Sequence, residues 1–219
     1  RESAGDTGKE LGPISIRTQI CRRYVNERVA AMHKISLLAI VLTMAFMVTE
    51  AFSVDNKPLT ECRQVVKQFG GELKAELLSS LKEGGPLNAV SVCSQKAPRI
   101  AENLSQERNL IIARTSLKFR NPENAPDIWE QRILQSFEER RVNKEAVGDM
   151  EHYEELTVDG KQVFRYMKAI PVGEPCLTCH GTQMPRDLQT RLNELYPEDQ
   201  SVGFSLGEIL GAFSITLPM

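Results

Sequence analysis

The chain has 219 residues, 41% of them hydrophobic, with Lys+Arg 27 against Asp+Glu 29. That length suits one medium domain with a single core and excludes a large multidomain enzyme. A formal net charge of −2 without a block of like charges gives no electrostatic footprint for nucleic acid and argues against a duplex-binding role.

In chain order, the first methionine is Met32, followed by His33, Lys34 and an apolar run from Ile35 to Val48 interrupted by Ser36 and Thr43. A lysine, an apolar core and then small residues at Ala51 and Ser53 form the layout of a secretory signal peptide. Residues 32–53 are therefore expected to be the signal, residues 1–31 an upstream leader outside the mature protein, and residues 54–219 the exported domain. The rival reading keeps Ile35 to Phe52 as an uncleaved membrane anchor, because spanning a bilayer takes about 20 apolar residues. Glu50 weighs against it. Removing residues 1–53 takes away 7 basic and 5 acidic residues and leaves 20 and 24, a mildly acidic domain. The expected location is the bacterial periplasm, with membrane contact only if the N-terminal segment is retained.

From Pro58 to Leu81 the positions Val65, Val66, Phe69, Leu73, Leu77, Leu78 and Leu81 recur every three or four residues, which predicts a helix packed on one side. Gly70-Gly71 is a candidate bend, Gly84-Gly85 stops the helix, and Pro86 starts a second one. The stripe of that second helix runs Leu87, Val90, Cys93, Ala97, Ile100, Ala101 and Leu104, and Pro98 predicts a kink just after Cys93. Leu110 to about Phe119 reads as a strand. A turn-rich loop from Asn121 to Pro126 follows, and then a helix bearing Ile128, Trp129, Ile133, Leu134 and Phe137. Tyr153–Val158 and Lys161–Ile170 flank Asp159-Gly160, the strongest hairpin signal in the chain. Leu188, Leu192 and Leu195 predict a short helix ended by Pro197, and final strands are expected near Val202–Leu206 and Leu210–Leu217. The expected fold is α+β: N-terminal helices packed on an antiparallel sheet of about five strands, covered on one face.

One motif carries chemistry. Cys176-Leu177-Thr178-Cys179-His180 is the CxxCH arrangement of covalently attached c-type haem, in which two thiols add across the vinyl groups and the adjacent histidine reaches the iron. The competing readings are a thioredoxin-type disulfide and half of a zinc site. Zinc needs a second closely spaced pair, which Cys62, Cys93, His33 and His152 do not make. A redox disulfide is expected after a strand in a parallel α/β pattern, whereas this motif follows a hairpin.

The residues leave the second axial ligand open. Met150, Met167, Met184 and Met219 are the candidate thioethers of the mature chain, and His152 is a candidate imidazole. Met184 is only four residues from His180, Met167 reads as a sheet residue and His152 as a surface histidine at a strand start. Cys93 is a thiol on the buried stripe of a kinked helix, and its bland alternative is a disulfide to Cys62.

Further short motifs frame these residues. Ala89-Val90-Ser91-Val92-Cys93 with Ala97-Pro98-Arg99-Ile100-Ala101, Arg114-Thr115-Ser116-Leu117-Lys118 with Arg120-Asn121-Pro122 and Asn124-Ala125-Pro126-Asp127, the CxxCH run, Leu195-Tyr196-Pro197 with Asp199, and Gly211-Ala212-Phe213-Ser214 occur in that order. Over roughly residues 58–219 the chain resembles an exported single-haem c-type family long catalogued as a domain of unknown function. The resemblance implies a PAS-like sensor fold with one covalent haem c on Cys176 and Cys179. It also implies iron held between His180 as proximal ligand and a thiolate from Cys93 as distal ligand. A thiolate favours ferric iron, so the centre is expected to have a low potential. Two filled axial positions disfavour enzymatic turnover. The functions expected are a haem-based redox or gas sensor, in which reduction or a diatomic ligand displaces Cys93, or a low-potential electron-transfer cytochrome. Either needs a separate redox or signalling partner protein.

Overall fold

The computed structural model describes residues 56–219, and the expected leader and signal segments lie outside the described residues. Among the described residues no helix is long and apolar enough to cross a membrane.

Helix α1 (Lys57–Ser91) opens with the Asn56 side chain accepting the Leu59 N–H, an N-cap that satisfies one of the free donors of the first turn. It passes straight through Gly70-Gly71 and breaks where the sequence predicts, at Gly84-Gly85, where Gly85 takes φ 68°. Pro86 restarts the helix. The chain then widens into a π-helical turn, Val92–Lys96, before continuing as α2 (Ala97–Arg108). Pro98 has no N–H to offer the Ser94 carbonyl, so the ordinary ladder fails at this point. The Ala97 N–H bonds instead to the Val92 carbonyl one residue further back. The predicted kink is therefore realised as a wide turn, and Cys93 sits inside it. Asn109, in the left-handed region at φ 51°, ends α2.

Strand β1 (Ile111–Thr115) follows, then α3 (Ile128–Val142), which is closed at its start by a capping box between Asp127 and Glu130. Strands β2 (Glu151–Val158) and β3 (Lys161–Pro171) form the expected hairpin. Asp159 at φ 50° and Gly160 at φ 77° both take the positive angles that a two-residue turn with the right twist requires. Helices α4 (Glu174–His180) and α5 (Arg186–Leu195) precede β4 (Ile209–Pro218). The four strands run in the order β1-β4-β3-β2, every neighbour antiparallel. The fold is α+β and roughly PAS-like, as expected, with four strands instead of five.

Two expectations need correction. The segment Val202–Leu206 is not a strand. Its backbone donors go elsewhere, Gly203 N–H to the Gly181 carbonyl and Phe204 N–H to the His180 carbonyl, while Gly203 at φ 74° and Gly207 at φ 81° interrupt extended backbone on either side. The sheet is also covered on both faces. Phe164 and Tyr166 of β3 with Ile215 of β4 pack under α1 and α2, on Val65, Phe69 and Leu104. Met167 and Ala169 of β3 with Ala212 of β4 point the opposite way, onto Ile133, Leu134 and Phe137 of α3. The α3 sequence hides this because charged residues surround its short apolar stripe.

The two-layer core has a measurable signature. Phe69 and Phe137 are 1% and 0% exposed on opposite faces of the sheet. Phe69→Ala and Phe137→Ala should each cost about 3–5 kcal/mol in urea unfolding. A near-neutral Phe137→Ala would mean that the second face is not a core.

Candidate functional site

The CxxCH run folds as the short helix α4, with Pro175 in its first turn. Cys176, Cys179 and His180 stand at i, i+3 and i+4, which puts both thiols and the imidazole on one helical face. Gly181 closes the helix. Its N–H bonds to the Leu177 carbonyl at 2.9 Å, and a Cβ there would lie 2.5 Å from that oxygen, so the position takes only glycine without a shift of backbone.

His180 is held from one side. Its Nδ1 lies 2.8 Å from the Ser201 carbonyl oxygen and 2.9 Å from Ser201 Oγ, while Phe204 packs edge-on against the ring. Those contacts occupy Nδ1 and leave Nε2 as the nitrogen for a metal. Burial first, and the Arg120 guanidinium second, push the imidazole down to about 4. The ring is therefore neutral near pH 7, the state in which it ligates.

Beside the histidine lies a buried ion pair, and its arginine lines one cleft with His180. Arg120 Nε donates to Asp199 Oδ2 at 2.8 Å, and Arg120 Nη2 donates to the carbonyls of Cys179 at 2.6 Å and Ser201 at 3.1 Å. Asp199 Oδ1 accepts the Ser201 N–H at 2.8 Å. One arginine thus ties the loop after β1 to the last turn of α4 and to the segment that returns past His180.

The cleft lies against the histidine and is open to solvent. Cys93 and His180 both line it, together with Arg114, Thr115, Tyr196 and Gly211. The structure therefore brings the thiol of the π-helical turn and the imidazole of α4 to one cavity, although 87 positions separate them in the chain. Burial raises the pKa of the Cys179 thiol, Arg120 opposes the shift, and Cys93 and Cys176 add to it, so the three sulfurs share one neighbourhood.

Two features of the cleft fit a bound group. Thr115 Oγ1 is buried in its wall with no hydrogen-bond partner, and Gly211 leaves a gap that a Cβ would fill by approaching the Thr115 carbonyl to 2.4 Å. Imidazole nitrogen and thiol sulfur are a donor set for transition-metal iron, and Cys176 and Cys179 are two further thiols on the helix that carries His180.

The rival ligands lie elsewhere. Met150 and Met167 are both 0% exposed within the core under α3. Met184 packs on Val90, Leu188 and Leu192. His152 on β2 places Nε2 2.7 Å from Glu154 Oε1 beside Trp129. Met219 is exposed at the end of the chain. All four described cysteines are free, so the bridge from Cys62 to Cys93 is not formed. Cys62 points into the core beside Val65, Phe69 and Tyr166, where burial pushes its thiol up to about 12. Sequence reasoning named Arg120 and Asp199 within motifs and gave them no role, because no local spacing reveals that positions 79 apart form a pair.

A family model, Tll0287-like, matches residues 14–218, so the chain belongs to the Tll0287-like family. Among solved structures, the cyanobacterial heme-protein Tll0287 is similar at a TM-score of 0.59 and 20% identity, over 75% of this chain and 96% of that one. A comparison with curated proteins gives no match.

The different settings of the thiols predict a labelling order. In the protein made without haem, iodoacetamide should modify Cys93, Cys176 and Cys179 in the native state and reach Cys62 only after denaturation, as read by peptide mass spectrometry. Early labelling of Cys62 would contradict its place in the core.

Proposed function

We propose that this Tll0287-like protein is an exported, monohaem c-type haem protein that works as a redox or gas sensor. The observation that carries the reading is the shared cleft: Cys93 and His180 line one cavity beside the two thiols of a CxxCH helix. When bound, the haem supplies an iron centre that changes oxidation state and accepts diatomic gases.

The chain's own residues have defined tasks in this reading. Cys176 and Cys179 anchor the group by thioether bonds, and His180 offers Nε2 while Ser201 holds Nδ1. Cys93 offers a thiolate from the π-helical turn, and Thr115 supplies a free hydroxyl in the wall. Arg114 brings a positive charge to the same cleft, which favours the haem's carboxylates. The setting of Cys93 supports sensing over simple carriage. A π-helical turn is a local departure from the stable ladder, of the kind frequently found at functional sites. Loss of the thiolate on reduction frees Cys93 and the turn that carries it, a change that a signalling partner can read. The open side of the cleft supports a second reading, a low-potential electron carrier whose haem edge meets a partner directly. The two separate on exposure of the reduced protein to CO or NO: displacement of Cys93 shifts the Soret band, and a retained thiolate leaves it in place.

Covalent attachment is tested by intact mass. After expression with a c-type maturation system, the chain should carry one haem that acidified butanone does not extract. Extraction of the haem would contradict thioether bonding at Cys176 and Cys179.

Replacing Cys93 by methionine exchanges an anionic donor for a neutral thioether, which stabilises ferrous iron, so the midpoint potential should rise by about 60 mV or more, a tenfold change for a one-electron couple. Cys93→Ala should give high-spin ferric haem that binds imidazole or cyanide. An unchanged or lower potential in the methionine variant, with a low-spin alanine variant, would remove Cys93 from the iron.

A further inference from the structure

Arg120 and Asp199 are the most deeply buried ion pair among the described residues, with side chains 9% and 6% exposed. Burying two charges is costly unless their polar atoms find partners, and here Nε and Nη2 of Arg120 and both carboxylate oxygens of Asp199 do, by contacts that converge on the support of His180. Nε of Arg120 meets Asp199 Oδ2 at 2.8 Å, and the other carboxylate oxygen takes the Ser201 N–H at 2.8 Å. Nη2 of Arg120 reaches the Ser201 carbonyl at 3.1 Å, the same oxygen that faces His180 Nδ1 at 2.8 Å. That carbonyl is shared between a cation and the imidazole N–H. A third contact, to the Cys179 carbonyl at 2.6 Å, fixes the residue before the histidine.

Sharing the acceptor has an electronic consequence. An imidazole that donates its Nδ1 proton to a strong acceptor gains anionic character and becomes a better donor to ferric iron. A guanidinium on the same carbonyl draws density out of it and weakens it as an acceptor. We infer that Arg120 is a positioning residue that sets the donor strength of His180 through the Ser201 carbonyl, with Asp199 as the counter-charge that limits the effect, so that this pair tunes the reduction potential. The inference rests on the haem reading above and deepens it.

Both of Arg120's effects run in one direction. Its charge disfavours the more positive ferric state through space, and its hold on the Ser201 carbonyl makes His180 a weaker ferric donor. Arg120→Gln should therefore lower the potential, raising the ferric-to-ferrous ratio at a fixed ambient potential about tenfold, or about 59 mV for one electron. Asp199→Asn removes the opposing charge and should raise the potential. The double variant should fall between the two. Ser201→Ala keeps the carbonyl and should move the potential less than either single change.

The experiment is potentiometric titration of the haem-loaded native protein and these four variants, with haem content fixed by intact mass. A purely structural pair would lower thermal stability in the variants and leave the potential where it was. Opposite shifts in Arg120→Gln and Asp199→Asn bear the inference out, and if Arg120→Gln does not fold, a rise in Asp199→Asn with a smaller shift in Ser201→Ala does so. A haem-loaded Arg120→Gln or Asp199→Asn at the native potential overturns the inference alone, as does a Ser201→Ala shift larger than theirs, which would make the hydroxyl the acceptor that matters. A native chain that takes up no haem overturns the haem reading and this inference together.

Discussion

Arg120 holds together three stretches of chain that no single element connects. It leaves the sheet just after β1, bonds the last turn of α4 through the Cys179 carbonyl, and bonds the returning loop through Asp199 and Ser201. Breaking a buried pair of this kind leaves an uncompensated charge and costs about 3–5 kcal/mol, more than most single contacts in a domain. The cost is spread over the wall that supports His180, since the Gly203 and Phe204 N–H groups also bond back to Gly181 and His180. The segment that would have served as a fifth strand is spent on this support, and the sheet is one strand smaller for it.

The other wall depends on a proline. Pro98 removes one donor from the helix ladder, the π-helical turn Val92–Lys96 absorbs the loss, and Cys93 turns toward the cleft while its neighbours Val92 and Ala97 stay in the core. A regular helix would keep Cys93 on the stripe with Val90 and Ala97. The two residues reach the cleft by different means. Ion-paired loop backbone supports the imidazole, and a departure from helical hydrogen bonding presents the thiol. The first is tied down by several buried hydrogen bonds and the second by fewer ordinary ladder bonds, which fits a reading in which the thiolate is the ligand that moves.

Local signals in the sequence were reliable where the physics is local. Gly84-Gly85 breaks α1, Pro98 distorts the helix just where Cys93 lies, and Asp159-Gly160 turns the hairpin in register. The spacing of the CxxCH run puts its two thiols and its imidazole on one face of a short helix. What escaped depended on partners distant in sequence. Val202–Leu206 alternates as a strand would, and only the position of α4 shows that its donors are taken. The apolar stripe of α3 does not reveal that it covers the second face of the sheet until Met167, Ala169 and Ala212 are seen to face it. Cys93 and His180 share a cavity for reasons that no window of sequence contains, and the resemblance to a haem family supplied what spacing could not.

The claim at the centre of this account is that iron is bound between His180 and Cys93. Iron K-edge X-ray absorption on the ferric protein, beside its Cys93→Ser variant, addresses it directly, because thioether sulfurs at Cys176 and Cys179 do not bond to the metal. One sulfur neighbour is expected at the iron of the native protein and none in the variant. An iron with only nitrogen neighbours in the native protein, or a sulfur that survives the substitution, would contradict it.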